Sequence, residues 1–108
     1  MAPQARRAAP PQPVSRFLWS LDAEADLDSI TDYIAEGNPK AAVTIRDEIE
    51  RRLAMLGLRP RLGRRGRVRG TREMVLAGTP YIAVYRVVDE DVLVLRVLHG
   101  ARRWPPPT

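Results

Sequence analysis

Cysteine is missing from the 108 residues. Its absence excludes a disulfide framework, a thiolate zinc cluster and a thiol nucleophile, and it fits a reducing compartment. Histidine occurs once, at His99, so no metal site and no cofactor are expected. No apolar run approaches the roughly 20 residues that cross a bilayer. Arg6 and Arg7 lie near the start but no apolar signal-peptide core follows them. A cytoplasmic location is therefore expected. Lysine is nearly missing too: Lys40 stands against 17 arginines.

The charge that is present is unevenly placed. Residues 1–56 carry seven basic and nine acidic side chains, net −2, and residues 57–108 carry eleven and four, net +7. A basic surface on the second half implies an anionic partner: nucleic acid, ribosomal RNA or an acidic protein segment. The competing source of the arginine is the base composition of a GC-rich genome, which raises arginine without reference to function.

Three segments follow from composition. Residues 1–14 hold prolines at 3, 10, 11 and 13, which block regular structure. They read as a disordered Pro/Ala/Arg-rich tail, or as upstream sequence from too early a start. Residues 15–105 form one domain, and 106–108 a short C-terminal tail. Within the domain, Arg16 to Ser20 is a short strand. Ser20 caps a helix whose apolar face is Ala23, Leu27, Ile30 and Ile34, stopped by Gly37. Asn38-Pro39 opens a second helix with Ala42, Ile45, Ile49, Leu53 and Leu56 on one face. Asp47/Arg51 and Glu48/Arg52 are spaced for pairing on its wet side.

Residues 59–72 carry arginine at 59, 61, 64, 65, 67, 69 and 72, and Gly63, Gly66 and Gly70 break any periodicity, so this is a loop. Strands are expected over Glu73–Ala77, Tyr81–Val88 and Val92–His99, with turns at Gly78-Thr79-Pro80 and Asp89-Glu90-Asp91. The fold class is α+β. An N-terminal strand and an antiparallel helical hairpin precede three antiparallel strands in one sheet, in the order β-α-α-β-β-β.

This order resembles the RelE/ParE toxins of type II toxin–antitoxin systems, and so do the residues. Asp26-Leu27 stands in the opening acidic helix. Gly70-Thr71-Arg72-Glu73, Val84-Tyr85-Arg86-Val87 and Val97-Leu98-His99-Gly100-Ala101-Arg102 are similar to the ParE branch. The likeness spans about residues 16–105. It implies a growth-inhibiting toxin that a cognate antitoxin neutralises in a hetero-oligomer. In the ParE branch it implies DNA gyrase as the target, reached by binding. In the RelE branch it implies cleavage of messenger RNA on the ribosome. A third reading is an inactive member that only binds its antitoxin.

RNA cleavage needs a base for the 2′-hydroxyl, a cation for the phosphorane and an acid for the leaving oxygen. RelE-like toxins place an arginine three residues before the tyrosine of the Val-Tyr pair, where this chain has Ile82. Their C-terminal proton-transfer residue is replaced by Ala101, Arg102, Arg103 and Trp104. The nuclease candidates that remain are His99, Arg72, Arg86 and Arg102. His99 reads otherwise as a structural strand-end histidine. For target or antitoxin binding the candidates are Arg65, Arg67, Arg69, Arg72, Arg86, Arg96, Arg102, Arg103 and Trp104. A three-residue turn, with Val88 opposite Val92, puts Arg86 and Arg96 on one sheet face, and a two-residue turn separates them. Against that binding patch stands a simpler role, pairing with Asp or Glu. Tyr81 and Tyr85 read as base-stacking or as core. Trp104 reads as an anchor for a partner or as a cover over the helices.

Overall fold

The computed structural model describes residues 16–100 and 104–105. The expectations for residues 1–14, for 106–108 and for Arg102 and Arg103 lie outside the described residues. Strand β1 (Phe17–Trp19) leads into helix α1 (Leu21–Gly37). The Ser20 hydroxyl accepts from the Ala23 N–H at 3.0 Å, and Asp22 and Glu24 sit in the first turn, where the helix dipole favours them. Asn38 serves both helices. Its N–H donates to the Ile34 carbonyl, and its side chain accepts from the Ala41 N–H to open α2 (Pro39–Ala54). Pro39 falls where a helix needs no N–H. One residue between the helices forces them antiparallel.

Both apolar faces bury as their spacing requires. Ala23 and Leu27 of α1 meet Ile49 and Leu53 of α2, joined by Leu56 from the 3-10 turn Met55–Gly57. On the wet side Glu48 takes both Arg51 and Arg52, while Arg46 reaches Glu50 and Asp28. Hydrogen bonds from Arg51 and Arg52 hold the Glu48 carboxyl below its ordinary range.

One mixed sheet lies under the hairpin, in the order β1, β5 (Asp91–His99), β4 (Tyr81–Val88), β3 (Arg72–Val75), β2 (Arg64–Arg65). Strands β3, β4 and β5 are antiparallel neighbours. Strand β1 runs parallel to β5. The arginine-rich segment is not wholly loop: Arg64–Arg65 forms β2 against Arg72 and Glu73. The inner face (Ala83, Tyr85, Val92, Val94, Val97) packs on the helices. A smaller outer cluster joins Ile82, Val84 and Leu98 to Leu95 and Trp104.

The β4–β5 turn is Asp89-Glu90, two residues long, since Asp91 pairs with Val88 and Val92 with Val87. Asp89 takes the positive φ of 58°. That tight turn alone would send Arg96 to the face opposite Arg86. The register then slips: Tyr85 is opposite Val94 but Val84 is opposite Arg96, so Leu95 is the extra residue of a bulge. The bulge restores the parity, and Arg96 shares the Val84 face after all. Asp91 is held by Arg16 through a 2.9 Å ion pair, whose hydrogen bonds lower its pKa.

Candidate functional site: an arginine-lined cleft beside the sheet

Tyr85 is the post on which the basic loop hangs. The ring is fully buried, and its hydroxyl donates to the Pro60 carbonyl and accepts from the Gly63 N–H, both at 2.8 Å. Burial pushes the phenol pKa up. This decides the tyrosine question in favour of core for Tyr85. Tyr81 is half-buried, packs on the same core and meets the His99 ring edge-on at 5.8 Å. Gly63 is needed for close approach: a Cβ there would lie 2.8 Å from the Glu73 carbonyl and from the Tyr85 ring.

The loop then closes on itself. The Gly66 N–H donates to the Thr71 carbonyl at 2.8 Å, and the Thr71 hydroxyl to the Val68 carbonyl at 2.6 Å. Gly70 supplies a positive φ of 85°. Glu73 is buried on the outer face and takes Arg64 at 3.2 Å and the backbone and side chain of Arg67. Arg72 donates to the carbonyls of Gly63 at 2.7 Å and Arg61 at 3.4 Å.

These contacts sort the candidate arginines. Arg64 and Arg67 are matched to Glu73, and Arg72 braces the loop. Arg61, Arg65 and Arg69 face no carboxylate among the described residues. Together with Arg72 they line an open cleft of about 400 Å³, completed by Gly66, Gly70, Thr71 and Val87. Arg61 was not singled out in the sequence, because nothing in a run of seven arginines marks which ones converge.

Arg96 has a different role. It forks onto Asp26 of α1 at 2.7 and 2.9 Å, and Asp26 also accepts from the Val97 N–H at 2.9 Å. The hydrogen bonds to Asp26 raise its pKa. Its guanidinium lies 5.6 Å from the centroid of the Trp104 ring. Trp104 itself covers the outer cluster rather than the helices, and its carbonyl accepts from Arg67 at 3.4 Å. Arg86 is exposed on that outer face and has no carboxylate partner among the described residues. Ile82 is buried at 7% exposure. Arg72, Arg86 and His99 therefore do not converge: Arg72 and Arg86 alternate to opposite faces, and His99 is at the far end of β5. No group of three or more His, Asp or Glu among the described residues could hold a metal ion. No helix among them is long and apolar enough to cross a membrane.

A first strand, a helical hairpin and an antiparallel sheet in this order are what the resemblance to RelE/ParE toxins implied. Residues 17–104 match the family described as ParE toxin of type II toxin-antitoxin system, parDE, and the chain belongs to that family. It is 41% identical over 90 residues to the Sinorhizobium fredii protein named toxin Y4kP, covering 83% of this chain and 93% of that one. It is 33% identical over 89 residues to Caulobacter vibrioides toxin RelE2, covering 82% and 99%. Among solved structures it is similar to a chain of the chromosomal ParDE TA system from P. aeruginosa. The TM-score is 0.75 and the identity 27%, over 81% of this chain and 97% of that one.

Proposed function

We propose that this toxin acts in the cytoplasm by binding DNA gyrase, without a chemical step of its own, and that a cognate antitoxin neutralises it in a hetero-oligomer. The observation that carries the reading is Ile82. It occupies the position at which RelE-like nucleases place a phosphate-stabilising arginine, and it is packed in the outer apolar cluster. On the same face Arg96, opposite Val84, is engaged by Asp26. The scatter of His99, Arg72 and Arg86 supports the same conclusion, because acid–base cleavage needs its groups within hydrogen-bond reach of one phosphate. The proposed contacts for target or antitoxin lie on two sides of the sheet, Arg65, Arg69 and Arg72 at the cleft and Arg86 with Trp104 on the outer face. The P. aeruginosa neighbour comes from a toxin–antitoxin system, which supports an antitoxin partner here.

The test is induced expression with parallel readouts of DNA breaks and of translation, with and without the neighbouring gene. Growth arrest with DNA breaks, reversed by the neighbour, is expected. Arrest of translation without breaks would replace this reading with ribosome-dependent RNA cleavage. Normal growth at a verified level of soluble protein would leave an inactive member that only binds its antitoxin.

A further inference from the structure

We propose that the arginine-lined cleft is a phosphodiester-binding site through which the toxin contacts nucleic acid directly. Arg61, Arg65, Arg69 and Arg72 line the opening, and no carboxylate side chain among the described residues does. The one acid of the neighbouring strand, Glu73, is buried on the opposite face and already matched to Arg64 and Arg67. Arg65 and Arg72 are direct partners across β2 and β3. Like charges so placed repel and cost stability unless an anion lies between them. Arg72 is already oriented by the Gly63 carbonyl, so the ordering cost of one contact is met before any ligand arrives.

The composition of the cleft favours a phosphate backbone over an acidic polypeptide. A peptide that folds on binding draws its affinity from apolar contact, with charge setting rate and register. The cleft offers a single apolar side chain, Val87. Phosphodiester binding needs no apolar surface: release of condensed counterions drives it, and arginine forks match phosphate oxygens in pairs. This site stands independently of gyrase as the target.

The experiment measures binding of the full chain to a 20-base-pair DNA duplex and to an RNA duplex of the same sequence, by fluorescence anisotropy across a salt series. The variant is Arg61→Gln/Arg65→Gln/Arg69→Gln, which leaves the bracing Arg72 in place. The control is Arg46→Gln/Arg51→Gln/Arg52→Gln on α2, which removes the same charge elsewhere. Circular dichroism checks both folds. For three lost phosphate contacts, the slope of log K against log salt should become shallower by about 2–3, and affinity near 0.1 M salt should fall on the order of 10²-fold. The control should change either quantity far less. A stronger effect on one duplex identifies the source of the phosphate. Three results would overturn the site: no binding of either duplex at low salt, an equal loss in the control, or a cleft variant that binds both duplexes normally but loses its antitoxin.

Discussion

Removal of the Asp26 carboxylate is the sharpest perturbation of the fold, because one side chain serves three donors. Asp26→Ala strips Arg96 of a two-pronged ion pair and orphans the Val97 N–H. The side chains of Arg96 and Asp26 keep 20% and 13% of their exposure. The pair therefore falls between an exposed bridge, worth about 0–1 kcal/mol, and a buried one whose breakage costs about 3–5 kcal/mol. About 2 kcal/mol is appropriate for the pair. The unpartnered amide adds about 1 kcal/mol. A total near 3 kcal/mol corresponds to a fall in Tm of about 12–24 °C for a domain of this size. Urea unfolding should give the same free energy, with the slope m unchanged. In a double-mutant cycle with Arg96→Met, the two losses should be strongly non-additive. A Tm within about 4 °C of the parent, or additive losses, would refute the role assigned to this pair. Arg96 would then return to the list of binding residues.

Tyr85→Phe should cost about 1–3 kcal/mol, since it orphans the buried Gly63 N–H and the Pro60 carbonyl; thermal melts check it, and an unchanged Tm would detach the loop from this post. The same phenol has a pKa raised by burial, so its contribution to stability is full below the unfolded value near 10 and is lost as pH rises through the folded value. Alkaline titration of tyrosinate absorbance in the parent and in Tyr85→Phe should show that the transition lost in the variant lies above that of free tyrosine, and a lost transition at or below it would contradict the burial argument. His99→Ala should leave growth inhibition intact, because the ring meets Tyr81 edge-on at the sheet end and is not among the residues lining the cleft; complete loss of toxicity with the fold preserved would point to proton transfer instead.

The sequence by itself determined the first strand, the two helices and the last three strands in their order, but not the short strand Arg64–Arg65. Ser20 and Asn38-Pro39 mark helix ends through local hydrogen bonds, and Gly37 is the last residue of the first helix. The stripes Ala23/Leu27 and Ala42/Ile49/Leu53 are periodic, and periodicity survives in a one-dimensional string. The net +7 of the second half is legible as charge. Only the tertiary structure decided which arginines lack a carboxylate partner. Glu73 takes Arg64 and Arg67 because strand pairing sets it opposite β2, and Asp26 takes Arg96 from 70 residues away. A bulge at Leu95, invisible as a pattern, reversed what the short Asp89-Glu90 turn would have done to Arg96. Ion pairing depends on distances of a few ångströms between residues remote in the chain. A run of arginines is therefore legible as charge, while its division into braces, matched pairs and open sites is set by the fold.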